Sequence, residues 1–156
     1  MKKLFVLVVM AGFLYACGGG AGGNNNDKDN ANSSISESKP SYDPQRGEGK
    51  FDHVEVGATL NTAMADNGKK VYDLKCAACH KLTNEKLVGP GWEGVTKKLS
   101  AEWIMNFITN PDAMIDKDPE AQAQLEICLV RMPNQNLSDD DARNIYEFMR
   151  KNDGVK

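Results

Sequence analysis

Cys76-Ala77-Ala78-Cys79-His80 sets two thiols three residues apart and an imidazole directly after the second. On a turn of helix, residues at i and i+3 share one face, so both thiols can add to vinyl groups of one porphyrin. The histidine that follows can then present a ring nitrogen to the iron. Five consecutive residues thereby attach and ligate a c-type haem, and this spacing is the signature of that attachment. Other chemistries need different company. A structural zinc takes four ligands, and the neighbours Cys79 and His80 can hardly both turn to one ion. A thioredoxin-like site needs a βαβ pattern, and no alternating series long enough for a sheet occurs here.

A six-coordinate haem iron takes a second ligand on its opposite side. Met132 is the candidate, in Arg131-Met132-Pro133-Asn134-Gln135-Asn136-Leu137-Ser138. Pro133 stiffens this loop and keeps it from becoming helix, so the thioether can be offered to iron from a fixed backbone. Met105 and Met149 fall at helical positions and read as core, and Met64 precedes the haem sequence. Met114, in a segment that reads as loop, stays as the competing ligand. His53, the other histidine, lies outside the helical part and reads as a surface residue.

These side chains must be positioned by helices. The first helix is expected from about Asn61, which can cap it, to Cys79. The second begins after the cap Ser100, with Glu102 in its first turn and Trp103, Ile104, Phe107 and Ile108 on one apolar face. Asn110-Pro111 ends it. A third begins at Asp118-Pro119, since proline suits the first helical position. Ala121, Leu125, Cys128 and Leu129 share one stripe there, which reads Cys128 as a small buried hydrophobe. The last helix opens at Ser138, with Asp141 completing a short-armed capping box. Its buried face is Ala142, Ile145, Tyr146 and Met149. Phe51 to Val56 alternates loosely and is expected as a short extended piece on the domain edge.

The N-terminus carries different information. Lys2 and Lys3 precede a short apolar run from Leu4 to Tyr15, the pattern of an export signal and too short for a membrane span. Leu14-Tyr15-Ala16-Cys17 resembles the lipobox of bacterial lipoproteins, in which the cysteine is acylated and becomes the new N-terminus. The expected organisation is a signal peptide (1–16), a lipidated Cys17 with a Gly/Asn/Ser-rich tether (17–50), and a folded domain (51–156). Few tether residues can bury anything, so it is expected to stay unfolded. Its end-to-end distance would be on the order of 30 Å.

The 156-residue chain has a formal net charge of −3, which becomes −5 once Lys2 and Lys3 are removed. The charge is unevenly placed. Residues 66–100 carry a net +3, whereas residues 101–149 carry a net −7. The segment around the haem sequence is therefore basic within an acidic protein, either as ordinary solvated surface or as a face that steers an acidic partner. No nucleic-acid partner is expected.

Over residues 61 to 152 the chain resembles a class I cytochrome c. Gly68-Lys69-Lys70-Val71-Tyr72 looks like the family's first helix, where glycine permits a close crossing with the last helix. Ile145 and Phe148 look like the facing residues. Gly89-Pro90 looks like the family's Gly-Pro, whose proline carbonyl accepts a hydrogen bond from the ligating histidine. Transferred to Pro90 and His80, that bond would orient the ring and strengthen its donation. Trp92 falls where the family has an apolar residue against the haem. Phe107 falls where many members have a tyrosine near the methionine sulfur. Residues 113–130 depart from the family and are expected to insert one helix before the methionine loop.

The resemblance implies an all-α fold, a small helical domain wrapped around one covalent haem c, with His80 and Met132 as axial ligands. His/Met ligation raises the reduction potential relative to bis-His ligation. Full coordination leaves no open site, which suits one-electron transfer more than catalysis. The implied role is a membrane-tethered periplasmic carrier between a quinol-oxidising complex and a terminal oxidase or reductase. A fixed haem subunit of one larger respiratory complex is the alternative. An enzyme or gas sensor with an open haem would require Met132 to be absent or labile.

Overall fold

A computed structural model describes residues 42–156. The expected export segment, Cys17 and the part of the expected tether up to residue 41 lie outside the described residues. Among those described, six helices form the fold: α1 Thr62–Lys75, α2 Val95–Lys98, α3 Ala101–Thr109, α4 Pro111–Lys117, α5 Pro119–Cys128 and α6 Asp139–Asn152. No strand occurs among them, only a single bridge between His80 and Lys86. None of the helices is long and apolar enough to cross a membrane.

Local chemistry sets most of the helix starts. Asn61 accepts from the Met64 N–H, Ser100 from Trp103, and Asp118 from Ala121, each satisfying an N–H that the first turn leaves unpaired. Ser138 and Asp141 form the full reciprocal box. Each such cap contributes about 1 kcal/mol.

The frame is the crossing of α1 with α6. A β-carbon at Gly68 would overlap the Asn144 carbonyl oxygen and sit 2.9 Å from Phe148 Cβ, so only glycine lets the two backbones touch there. Tyr72, one turn further along α1, packs its ring on Phe148 with centroids 5.4 Å apart. Ala142, Ile145, Tyr146, Phe148 and Met149 line the buried side of α6.

A fully buried carboxylate locks the approach to this crossing. Glu147 accepts from the Asn61 N–H at 2.8 Å and from Arg143 and Arg150 at 2.7 Å each. Arg150 also donates to the Gly57 carbonyl, tying the segment before α1 to α6. Desolvation pushes the Glu147 pKa up. The Asn61 N–H and the two guanidiniums outweigh it and hold the pKa below the ordinary glutamate value. A native pKa below the unfolded one means the carboxylate stabilises the fold fully above the usual glutamate range. That contribution disappears as pH falls through the depressed native value. Glu147→Gln is expected to cost about 3–5 kcal/mol at neutral pH by leaving buried guanidiniums uncompensated, and to flatten the acid limb of stability. Equal urea midpoints for variant and parent at pH 7 would refute this role.

The structure changes three expectations. First, α1 ends at Lys75 rather than Cys79. Cys76 caps it, and the Cys76 carbonyl takes both the Cys79 and His80 N–H groups at 3.0 Å, tightening the chain into a separate turn. Second, the segment before the methionine loop holds two helices, not one. Pro111 stops α3 and also opens α4, because a proline at the first position lacks only an N–H that would be unpaired anyway. Third, Leu129 leaves the buried stripe. It caps α5 in the left-handed region (φ 61°) and is 83% exposed, while Cys128 is half-buried.

Residues 42–50, assigned from composition to the tether, sit against α3, α4 and α5. Asn106 donates to the Arg46 and Phe51 carbonyls and accepts the Phe51 N–H. Buried Asp118 accepts from the Tyr42 hydroxyl and from Trp103 Nε1. The Glu48 N–H points at the Met114 sulfur, 2.9 Å away. Residues 51–56 form no strand, and Val54 is buried in the core.

Candidate functional site

The turn after α1 fixes the two thiols and the imidazole. Cys76 is buried and Cys79 half-buried. Burial pushes the Cys76 thiol up to about 11, against the pull of neighbouring Lys75. Thiolate redox chemistry requires the opposite shift. No group of three or more metal-binding side chains occurs among the described residues. Zinc and thioredoxin-like readings therefore find no support.

His80 is held from three directions. Its Nδ1 lies 2.9 Å from the Pro90 carbonyl oxygen. A carbonyl only accepts, so Nδ1 carries the proton and Nε2 keeps its lone pair. Burial lowers the His80 pKa, the Pro90 bond opposing it, which favours the neutral ring that a metal needs. The Tyr72 hydroxyl donates to the His80 carbonyl at 2.7 Å, fixing the backbone beneath the ring. Trp92 stands beside it, with ring centroids 5.5 Å apart. Gly89 is required by the same closeness: a β-carbon there would overlap the imidazole, 2.8 Å from Nδ1. The loop is folded onto the motif through the Cys79 carbonyl, which accepts from Val88 at 3.2 Å and Gly89 at 2.9 Å.

Three adjoining cavities of about 220, 250 and 40 Å³ share His80 and Met132 in their walls. Cys76 lines the smallest, Cys79 the first and the smallest, Pro90 and Phe107 the two larger, and Trp92 the second and third. Every residue that the sequence assigned to the haem thus faces this space. Met114 does not. It is fully buried in α4 and lines none of the three. His53 is exposed and pairs with Glu55 at 2.7 Å.

The structure adds roles that the sequence reading did not give. Tyr72 was read only as the aromatic of the helix crossing, yet it also bonds the His80 carbonyl, a role its place four residues before Cys76 on one face of α1 could have suggested. Lys75, which belongs to the basic segment read as a face that could steer a partner, donates its Nζ to the Gln135 carbonyl at 3.0 Å and ties the methionine loop to the end of α1. Cys128, Leu125 and Val130 line the first cavity with Cys79 and Met132. Phe107 stacks on Trp103 at 5.1 Å, so α3 presents its ring to the cavity from a braced position.

The sequence model of the family Cytochrome c matches residues 65–153. This chain belongs to the cytochrome c family. A cytochrome c from Rhodothermus marinus shares 31% identity, with a TM-score of 0.65 over 67% of this chain and 90% of its own. An engineered form of the Rhodothermus marinus cytochrome shares 30% identity, with a TM-score of 0.67 over 71% of this chain and 98% of its own. The same engineered protein bound to a carbene intermediate gives 30% identity, a TM-score of 0.64 and the same coverage. The carbene belongs to that engineered protein. No curated protein matches the chain.

The family and these relatives make the chain a class I monohaem c-type cytochrome that carries electrons on one covalent haem c. The donor set fits that cofactor. Two thiols, a neutral imidazole with a free Nε2 and a thioether border one largely apolar space.

Proposed function

We propose that this cytochrome is a lipid-anchored, one-electron carrier at the periplasmic face of a bacterial membrane. In this reading it moves between a quinol-oxidising complex and a terminal oxidase or reductase. One observation carries it: His80 and Met132 border the same cavities from separate segments, so the chain offers two donors that would ligate a haem iron held there and leave it no open position for substrate. When bound, the haem supplies a reversible ferrous–ferric couple. The chain does the rest. Cys76 and Cys79 would hold the cofactor covalently, Pro90 orients His80, Met132 would supply a second donor to the iron, and Trp92 and Phe107 would keep water from it. A site so enclosed favours electron exchange over substrate binding.

The tether supports mobility, because a permanently docked subunit has little need of reach. Cys17→Ser is expected to release the mature protein from membranes with an unchanged visible spectrum, read by fractionation. Continued sedimentation with membranes would refute the anchor. Size exclusion of gently solubilised membranes tests the carrier reading. Constant-ratio comigration with one large complex would replace it with a fixed subunit.

A further inference from the structure

Large apolar side chains rarely stay outside without a reason when they are gathered in one place. Leu87 and Val88, just beyond the haem sequence, are 48% and 42% exposed, and Ile127, Leu129 and Val130, at the end of α5, are 66%, 83% and 55% exposed. Lys86 Nζ donates to the Ile127 carbonyl at 2.8 Å and stitches the two segments together. Val88 and Val130 line the first cavity together. Ile127 and Leu129 line none of the three cavities.

Leu129 is the least expected member. It occupies the helix-ending position in the left-handed region, with φ 61° and ψ 12°. Glycine or asparagine adopts that backbone readily, whereas leucine does so under strain. Its N–H closes the last turn of α5 on the Leu125 carbonyl at 2.7 Å, a bond that any residue could make, while its exposed side chain adds nothing to the core. Strain of this kind points to a role outside stability.

The cations flanking this surface are committed within the chain. Lys81 pairs with Glu85 at 2.6 Å, and Arg131 with Asp112 and Asp116 at 3.1 and 3.0 Å. Lys86 sits on the end of α5, where a cation offsets the helix dipole. The basic segment around the haem sequence therefore offers little unpaired charge here. Glu126, exposed beside Ile127, has no ion pair among the described residues, but Lys86 stands close by, so the surface as a whole carries little net charge and is complemented by another apolar, weakly charged surface. The Val88 N–H also bonds the Cys79 carbonyl, so the patch lies one hydrogen bond from the haem-attaching backbone.

We propose that Leu87, Val88, Ile127, Leu129 and Val130 form the docking surface for the redox partner protein, which meets it through an apolar face of low net charge. This rests on the carrier function proposed above and names the chemistry of the carrier's partner. Ile127, Leu129 and Val130, at the end of α5 and just beyond it, come from the segment in which this chain departs from its family.

The test uses the haem-loaded mature chain with Cys17→Ser and membranes from the producing bacterium lacking this protein. Quinol-driven reduction of the added cytochrome is followed by stopped-flow absorbance. Adding Ile127→Ser and Leu129→Gly together is expected to slow this reduction about tenfold, as loss of central apolar contacts does at an interface. Reduction by ascorbate and the visible spectrum should stay unchanged. Leu129→Gly alone should raise the melting temperature by relieving the backbone while slowing reduction, a combination that a purely structural role does not produce. The parent's rate should change less than about twofold between roughly 20 and 200 mM salt. Parental rates in the variants, or a steep fall with salt, would overturn the docking surface while leaving the carrier intact. No exchange between the parent and membranes would overturn the carrier reading itself, and this proposal with it. Binding of the parent but not the variant to protein-free phospholipid vesicles would reassign the surface to lipid. A parent that dimerises and a variant that does not would reassign it to a second copy.

Discussion

Met132→Ala leaves the haem attached through Cys76 and Cys79 and opens one axial position. The near-infrared sulfur-to-iron band disappears, carbon monoxide binds the ferrous protein rapidly, and the reduction potential falls. The fall is expected to be a sizeable part of the roughly 0.8 V over which axial ligands set haem potentials. The direction follows because a thioether favours ferrous iron relative to nitrogen or water. The effect should stay local. The loop is held by Lys75 on the Gln135 carbonyl and by the capping box at Ser138, neither of which involves the sulfur. A variant that kept the near-infrared band would show that another thioether ligates the iron. Met114 offers no such replacement, since it is fully buried in α4 beside the Glu48 N–H.

One added methyl group is expected to cost the fold a large part of its stability. Gly68→Ala improves helix propensity by about 1 kcal/mol. It also places a β-carbon against the Asn144 carbonyl oxygen and 2.9 Å from Phe148 Cβ. A backbone carbonyl inside a helix cannot rotate away, so α1 and α6 must separate. Overpacking costs about 1–3 kcal/mol where side chains can adjust, occasionally more, and here backbone meets backbone. A net loss of about 2 kcal/mol or more is expected in the urea midpoint, together with weaker packing of Tyr72 on Phe148. Gly57→Ala is the control. A β-carbon there comes no closer than 3.5 Å to the Thr59 carbonyl oxygen, and the midpoint should hold. If Gly68→Ala unfolded at the parental midpoint, the two helices would not cross at this glycine.

Much of the frame was legible because it is decided by neighbours in the chain. Asn61, Ser100, Asp118 and Ser138 each cap a helix through an N–H three residues on. The Gly89-Pro90 pair was legible through family resemblance, and the Pro90 bond to His80 spans ten residues. Errors arose where one residue serves two elements. Asn110-Pro111 reads as a stop, and it is one, but Pro111 also starts α4. The apparent loop around Met114 is therefore a helix, and an apparent ligand is core. Residues 42–50 read as tether because their composition is polar. What holds them, Asn106 and Asp118, lies at least 55 positions away.

By itself the sequence determined the chemistry: two thiols and an imidazole at fixed spacing, and caps that start the helices. These depend on covalent spacing and on hydrogen bonds within a turn or two, which any local stretch of chain carries with it. Only the tertiary structure decided that Met132 borders the cavities beside His80 while Met114 is enclosed elsewhere, which lysines are committed internally, and that Leu129 stands outside. Those outcomes depend on contacts between distant segments, such as Lys75 with Gln135 across 60 positions. Such contacts form only when α1, α6 and the segment between them close around the same space.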